Sequence, residues 1–246
     1  MKTMEMTYRG FHLRMTLPLL AACLLCWLLS GPSIEAILAI VVLCLVVVAF
    51  TFPWDSWAVK RGVWDFPDDR LIGRIGVLPY EEVAFFVLQT LQVSFLTLAL
   101  VRWFPSNSTR MLVVSMSDLL ASGVVFVLAA IVAVGTSRWR SRHAASTYAW
   151  HLGIWFVPLI SAQWVFGWSI LEPRLPVIIA STLAIGSLLT AADVWAVRRG
   201  IWFFDEKQIT GLKLWQILPW EEAAFFYVTS LIVAQSILLF IPESLR

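Results

Sequence analysis

The chain has 246 residues, of which 60% are hydrophobic and only 14% are charged, and its formal net charge is +2. Soluble domains carry nearer to 25% charged residues, so this composition excludes an ordinary soluble fold and indicates an integral membrane protein. The small net charge gives no reason to expect a nucleic acid as a partner.

Seven apolar stretches are each about long enough to cross roughly 30 Å of hydrocarbon. The first is interrupted by Pro18 and ends at Gly31, and because no small-x-small cleavage site precedes Gly31, we interpret it as an anchor rather than a signal peptide. The sequence therefore predicts an all-α integral membrane protein with seven transmembrane helices, near residues 12–30, 34–54, 80–103, 112–134, 148–171, 175–195 and 219–241.

Lysine and arginine are distributed unevenly among the connecting segments. Of the 18, fourteen lie in the N-terminal segment and in the loops after the second, fourth and sixth stretches; the other four are Arg102, Arg110, Arg174 and Arg246. Positively charged loops stay on the cytoplasmic side of a membrane. The sequence thus predicts a multi-pass protein of the cytoplasmic (cell) membrane, with its N-terminus cytoplasmic and its C-terminus external.

Two of these loops repeat the same peptides. Residues 55–64 read DSWAVKRGVW and residues 193–202 read DVWAVRRGIW; residues 78–86 read LPYEEVAFF and residues 218–226 read LPWEEAAFF. The offset is 138 residues in the first peptide and 140 in the second, so the later loop is longer by two residues. Charged loops that match this densely indicate a duplicated unit.

The match extends towards the N-terminus more weakly. His12 and Pro18 parallel His151 and Pro158 if the alignment slips by one residue. We divide the chain into a first three-span repeat (1–104), a connector span (105–140) and a second three-span repeat (141–246). A shift of four spans is even, which predicts parallel repeats related by an axis along the membrane normal, with the functional site where they meet.

Each repeat begins one membrane helix with two adjacent glutamates. Pro79 and Pro219 suit the first helical position, which puts the glutamates in the first turn, each four residues before a phenylalanine. Carboxylates there complement the helix dipole by about 0.3–1 kcal/mol, but two adjacent side chains point in different directions, and an acid against an aromatic ring loses hydration. We predict a functional site at these residues: Glu81, Glu82, Glu221 and Glu222, with Phe85, Phe86, Phe225 and Phe226.

Other candidate side chains surround the glutamates. Asp55 and Asp193 close the second and sixth spans on the same side, either in a catalytic role or in salt bridges to the basic pairs that follow them. Trp155 lies inside the fifth span, where aromatic rings lining a cavity would stabilise a carbocation by up to about 2 kcal/mol each. His151, four residues earlier, is a candidate proton relay or an ordinary interfacial histidine. An aromatic belt at the membrane interface accounts for Trp54, Trp57, Trp64, Trp195, Trp202 and Trp215.

At these residues the chain resembles a known family, the small membrane-embedded lycopene cyclases of the heterodimer type. The hallmark of that family is Pro-x-Glu-(Glu/Asp) at the start of a membrane helix, once per repeat, and it matches here at residues 79–82 and 219–222. The flanking Asp-x-Trp-Ala-Val-(Lys/Arg)-Arg-Gly stretch is similar to the family as well. The resemblance covers essentially the whole chain, which would make it a fused form with both motifs intact.

The resemblance implies an isomerase of carotenoid biosynthesis. Its substrate would be lycopene, an apolar polyene delivered through the lipid bilayer. An acid would protonate the terminal double bond, the next alkene would attack the cation, and a base would remove a proton to leave a β- or ε-ionone ring. The implied catalytic set is Glu81, Glu82, Glu221 and Glu222, supported by Asp55 and Asp193, with acid and base unassigned. No cofactor or metal is predicted, because the sequence has no G-x-G-x-x-G motif and no second aspartate cluster beside Asp68-Asp69.

Two alternative functions remain open from the sequence. A related carotenoid or isoprenoid enzyme such as a hydratase would capture the same cation with water. A small-molecule transporter with the same three-plus-one-plus-three layout would use the carboxylates for proton coupling, although the chain has no Pro-Gln pair of the kind found in small sugar carriers. The ring type, the number of ends cyclised, the number of sites and the oligomeric state, including a homo-oligomer, stay open.

Overall fold

The computed structural model describes residues 6–105, 112 and 114–245. Within these residues the chain is dominated by seven helices of 21 residues or more, joined by loops with three short two-stranded ribbons. The helices are α1 (Tyr8–Leu29), α2 (Ile34–Arg61), α3 (Tyr80–Trp103), α4 (Met116–Arg142), α5 (Thr147–Leu171), α6 (Leu175–Arg198) and α7 (Trp220–Phe240). The strands are β1 (Trp64–Asp65), β2 (Arg74–Ile75), β3 (Leu78–Pro79), β4 (Phe203–Phe204), β5 (Lys213–Leu214) and β6 (Leu218–Pro219).

Six helical segments of the described chain are long and apolar enough to cross a membrane. Five are single helices, and the sixth, Ala144–Arg198, contains both α5 and α6, which meet at the 3₁₀ turn Glu172–Arg174. Tyr148 at the start of α5 and Asp193 near the end of α6 both interact with Glu222. The chain therefore reverses its direction at this turn.

The helices form two groups of three that pack in the same way. In the first group α3 packs against both α1 and α2, and in the second α7 packs against both α5 and α6. The groups meet through α3, which contacts α6 and α7; there the Gln89 amide donates to the Thr229 hydroxyl at 2.8 Å. Helix α4 packs on α5, and none of its most apolar window is buried, so it lies on the outside of the bundle.

A ribbon joins the two repeated loops across the centre of the molecule. Strand β1 pairs with β4 in antiparallel register, Trp64 opposite Phe204 and Asp65 opposite Phe203. At the 138-residue offset Phe203 is the counterpart of Asp65, so this pair joins two equivalent positions. A twofold relation between the loops would give this register. The other ribbons, β2–β3 and β5–β6, are hairpins within each loop that lead into α3 and α7.

Five helix boundaries differ from the predictions and affect the site. Helix α1 begins at Tyr8, four residues earlier than predicted. Helices α2 and α6 continue beyond Asp55 and Asp193, so the aspartates do not close these spans; α2 ends only at Gly62, which has a left-handed backbone (φ 69°). Pro79 and Pro219 immediately precede their helices instead of occupying the first helical position, because their extended backbones pair in the hairpins.

Candidate active site

A small cavity of about 30 Å³ lies between the two groups of helices. Both groups and the β1–β4 ribbon contribute to its wall, which is aromatic except for Leu189 and two carboxyl groups. The lining side chains are Tyr8, Phe11, Trp54, Trp64, Phe66, Glu82, Phe85, Tyr148, Leu189, Trp202, Phe204, Glu222, Phe225 and Phe226. Ten of these fourteen form five pairs of counterparts in the two repeats, so the cavity itself is nearly symmetric.

Glu82 and Glu222 are the two carboxyl groups that face this cavity. The Tyr8 hydroxyl donates to Oε2 of Glu82 at 2.6 Å, and the Tyr148 hydroxyl donates to Oε2 of Glu222 at 2.5 Å. Both glutamates are half-buried, because their remaining surface lies on the cavity. Each repeat thus supplies one cavity-facing carboxyl group and one tyrosine that holds it.

Glu81 and Glu221 point away from the cavity and hold the loops that precede their helices. Oε1 of Glu81 accepts from the Ile72 backbone N–H at 2.8 Å, and Oε1 of Glu221 accepts from the Thr210 backbone N–H at 2.7 Å. Neither side chain retains more than 3% of its surface. The two adjacent glutamates of each motif therefore do point in different directions, as predicted, and the geometry distinguishes a cavity-facing residue from a loop-binding one.

Asp55 and Asp193 are buried behind the cavity-facing glutamates and do not form the ion pairs considered from the sequence. Oδ1 of Asp55 accepts from Trp64 Nε1 at 3.0 Å, and Asp193 interacts with Trp202, the counterpart of Trp64. Within the described residues neither aspartate has a basic partner, since Lys60 and Arg61 are exposed at the end of α2.

Both aspartates lie close enough to the cavity-facing glutamates to interact with them through charge. Oδ2 of Asp55 and both carboxyl oxygens of Asp193 have no hydrogen-bond partner among the described residues. Neighbouring carboxyl groups disfavour two negative charges, so this cluster favours a proton on at least one of its members.

The belt interpretation is wrong for three tryptophans. Trp54, Trp64 and Trp202 are between 2% and 8% exposed and line the cavity. Trp54 lies parallel to Phe225, with the ring centroids 5.1 Å apart. Trp215, by contrast, is 65% exposed, as an interfacial residue would be. Trp64 and Trp202 lie in or next to the β1–β4 ribbon, which folds over the cavity, whereas Trp54 is buried within α2 against His151, Phe156 and Phe225.

Two of the five predicted aromatic residues do not line the cavity. Phe85, Phe225 and Phe226 do line it, whereas Phe86 is buried outside the lining set. Trp155 lies against Phe50, outside the lining set.

His151 does not contact the carboxyl groups, so the structure does not support the proton-relay interpretation. Its Nε2 donates to the Trp54 backbone carbonyl at 3.1 Å, and its ring stacks on Trp57 at 3.9 Å between centroids. His12 donates from Nε2 to the Glu81 carbonyl instead, so the two histidines are not structural counterparts.

The sequence reading missed Tyr8 and Tyr148. Each tyrosine lies 74 residues before the glutamate to which it donates, and Tyr148 follows Tyr8 by 140 residues. The same offset relates Pro18 to Pro158 and Glu82 to Glu222. Aligning the prolines instead of the histidines would have removed the one-residue slip and matched the two tyrosines.

The chain is similar to curated proteins along most of its length. It is 31% identical over 199 residues to the lycopene beta-cyclase of Halobacterium salinarum, which is 81% of this chain and 80% of that protein. This match decides the family. The chain belongs to the lycopene cyclase family. It is a membrane enzyme of carotenoid biosynthesis that cyclises lycopene, and both the transporter and hydratase alternatives are set aside.

Fungal relatives are similar over nearly the whole chain but are much longer proteins. The bifunctional lycopene cyclase/phytoene synthase of Phaeosphaeria nodorum is 30% identical over 239 residues, and that of Phaffia rhodozyma is 28% identical over 244. These matches cover 94% and 93% of this chain but only 40% and 36% of the fungal proteins, so the cyclase corresponds to one part of them. No family model and no solved structure matches the chain.

Proposed function

We propose that cyclisation takes place in one active site between the two repeats, with Glu82 and Glu222 as the catalytic carboxyl groups. One observation carries this proposal: both glutamates face the same aromatic cavity, each held by a tyrosine hydroxyl. Glu81 and Glu221 support the reaction because they fix the loops that precede α3 and α7. Asp55 and Asp193 support it through their charge and their protons.

Glu82 is the acid in this proposal. An alkene is a very weak base, so its protonation needs a carboxylic acid that is neutral at the start and shielded from water. Asp55 lies beside Glu82, and the repulsion between two neighbouring carboxylates favours a proton on one of them. Tyr8 donates to the oxygen on which negative charge develops as Glu82 gives up its proton.

The cavity wall stabilises the cation that follows. Protonation of the terminal double bond leaves a tertiary carbocation, and the next alkene attacks it to close the six-membered ring. The negative faces of aromatic rings attract a cation, by about 2 kcal/mol or more per ring when water is excluded. Trp54, Trp64 and Trp202 are the largest side chains of the wall. The same rings exclude water, which would otherwise capture the cation.

Glu222 is the base that completes the reaction. It is the other carboxyl group that faces the cavity, and its Oε2 accepts from the Tyr148 hydroxyl. It removes a proton from the carbon next to the cyclic cation and leaves the ring double bond. One proton is added and one removed for each ring, so the product is an isomer of the substrate. We propose a β ring, in line with the name of the archaeal relative.

We also propose the arrangement of the chain in the membrane. Helices α1 to α7 each cross once, with α5 and α6 as separate spans. Groups 1–104 and 141–246 form parallel repeats related by an axis along the membrane normal, and α4 connects them. The register of the β1–β4 ribbon supports this axis. The N-terminus and both repeated loops face the cytoplasm, following the positive charges of the loops.

Pigment analysis of lycopene-accumulating bacteria tests the carboxyl assignment. The variants are Glu82→Gln and Glu222→Gln, and Glu35→Gln, an exposed glutamate at the start of α2, is the matched control. Loss of a general acid or base costs roughly 10²–10⁴ in rate. We expect Glu82→Gln to leave lycopene unconverted, and Glu222→Gln to form a little product, part of it hydroxylated because water captures a cation that has lost its base.

If Glu222→Gln leaves lycopene unconverted and Glu82→Gln forms a little product, Glu222 is the acid and Glu82 is the base. Normal cyclic carotene from both variants, at membrane protein levels equal to those of Glu35→Gln, would refute the assignment. Chromatography against β- and ε-ring standards decides the ring type in the same samples.

A further inference from the structure

A second concave surface lies outside the active site, where α2 and α4 end and α5 begins. It is a groove of about 660 Å³, and it shares no lining residue with the active-site cavity. We call it the basic groove. Its lining residues are Trp57, Lys60, Arg61, Arg140, Ser141, Ala144, Thr147, Asp205, Lys207 and Gln208.

The basic groove concentrates positive charge without a free counter-charge. Four of its ten residues are Lys or Arg, and Asp205 is the single acid among them. Asp205 Oδ1 accepts from the Lys207 backbone N–H at 3.0 Å, and Oδ2 accepts from the Gln208 side chain at 2.9 Å. These donors hold the pKa of Asp205 below its ordinary value. Both of its oxygens are therefore engaged within its own loop.

Arg140 is the unusual residue of the groove. Its side chain is held between aromatic rings, with the guanidinium carbon 5.1 Å from the Trp150 ring centroid and 5.9 Å from that of Trp57. Arg61 stacks on the same Trp57 ring at 5.4 Å. Arg140 is only 9% exposed, its Nε has no hydrogen-bond partner, and within the described residues it has no ion-pair partner. Burying a cation unpaired is costly.

We propose that the basic groove binds a phosphate-type anion, with Arg140 at its base and Arg61 and Lys207 at its rim. Guanidinium groups match the oxygens of a phosphate group in a bidentate geometry. The bound anion supplies the negatively charged partner that Arg140 lacks among the described residues.

Two sources carry this chemistry. The groove lies at the ends of long apolar helices, which is the level of lipid headgroups, so an anionic phospholipid can present its phosphate there. A soluble phosphate or diphosphate compound presents the same group. The proposal is independent of the catalytic assignment, because its test measures binding and not cyclisation.

The test uses the purified full-length chain and two kinds of probe. Inorganic phosphate and pyrophosphate are titrated at constant ionic strength in detergent. Separately, the protein is placed in nanodiscs of phosphatidylcholine alone or with phosphatidylglycerol, and the readouts are Tm and tryptophan fluorescence, since Trp57 and Trp150 lie at the site. The variants are Arg140→Gln and Lys207→Ala, and Arg142→Gln, an exposed arginine on the same helix outside the groove, is the control.

We expect one of the probes to raise the Tm of the wild type and of Arg142→Gln. Arg140→Gln should weaken this binding by about tenfold or more, which is about 1.4 kcal/mol. Lys207 is exposed, so Lys207→Ala should leave the fold intact and weaken the binding of the probe severalfold. This variant tests the proposal even if Arg140→Gln fails to fold. A response to pyrophosphate or phosphate identifies a soluble ligand, and a response to phosphatidylglycerol alone identifies a lipid.

Two results would overturn the proposal. One is the absence of any response to either probe in the wild type. The other is a response that Arg142→Gln diminishes as much as Arg140→Gln and Lys207→Ala do, because the effect would then come from general surface charge rather than from the groove.

Discussion

Removing the hydroxyl of Tyr8 tests the proposed acid with the smallest change that the structure offers. Tyr8 is 2% exposed and donates to Oε2 of Glu82 at 2.6 Å. The Tyr8→Phe change deletes that donor and leaves the ring in the cavity wall. If Glu82 is the acid, its carboxyl group is neutral before proton transfer and negatively charged after it. The hydrogen bond from Tyr8 then becomes stronger along the reaction.

The expected magnitude follows from this change in charge. A hydrogen bond between neutral groups contributes about 0.5–1.5 kcal/mol, and one to a charged group about 1.5–3 kcal/mol. Only the difference, about 1–2 kcal/mol, acts on the rate, because catalysis depends on what is gained between ground state and transition state. Tyr8→Phe should therefore slow cyclisation by roughly 5- to 30-fold.

Tyr148→Phe serves as the internal comparison. Tyr148 donates to Glu222, which as the base is charged first and neutral afterwards, so its hydrogen bond weakens along the reaction. Losing this donor should therefore not slow proton removal, whereas Tyr8→Phe slows proton addition. Tyr227→Phe is the matched control, because the Tyr227 hydroxyl bonds to Ser187 at 2.8 Å and does not line the cavity.

The assay is a single-turnover conversion of lycopene by excess enzyme in liposomes, so that product release does not mask the chemical step. The Tm of each variant is measured in parallel to separate rate from folding. If Tyr8→Phe converts lycopene as fast as Tyr227→Phe does, the hydroxyl has no part in the proton transfer. If Tyr148→Phe is the slower variant, Glu222 is the acid and Glu82 the base.

Two further predictions concern stability. In Gly186→Ala the new Cβ would lie 2.5 Å from the Tyr227 ring, so the ring must shift. We expect the free energy of unfolding to fall by about 1–3 kcal/mol, which is measured as a lower Tm. Gly153→Ala is the control and should leave the Tm unchanged, because nothing lies within 4 Å of its new Cβ. Glu81→Ala leaves the Ile72 backbone N–H without its acceptor, which should cost about 1–3 kcal/mol. If instead Glu81→Ala abolishes cyclisation at unchanged Tm, this glutamate acts in the chemistry.

Much of the site could be predicted from the sequence because the duplication marks it. A charged loop is constrained only where it has a role, so its recurrence at residues 55–64 and 193–202 identified the right segments. Helical periodicity then showed that Glu81 and Glu82 point in different directions. The sequence could not show which of them faces a cavity, because that depends on how α3 packs against the other helices.

The remaining errors have a common physical origin. Trp54, Trp64 and Trp202 occur at the level of the membrane interface, where an aromatic belt is the usual explanation. The pairing of β1 with β4 helps to bury Trp64 and Trp202, and two-residue strands leave no periodic pattern in a sequence. Trp54 is buried by the packing of α2 against Phe156 and Phe225, which the sequence of α2 alone does not reveal. Tyr8 was missed for a related reason: it precedes the first apolar stretch, and only its contact with a residue 74 positions away shows that α1 extends so far.

The carboxyl groups and tyrosines of the cavity are arranged symmetrically, but part of its wall is not. The equivalent positions of Glu82 and Glu222, each with its tyrosine, place two carboxyl groups in one cavity and not in two separate sites. Cyclisation needs two groups in opposite protonation states, which identical surroundings would not supply. The surroundings differ, because Phe11, Trp54, Leu189 and Phe226 line the cavity without a counterpart from the other repeat. In the proposed mechanism acid and base come from different repeats, so we infer that the cavity processes one end of the polyene at a time, and that a second ring requires the molecule to enter again with its other end.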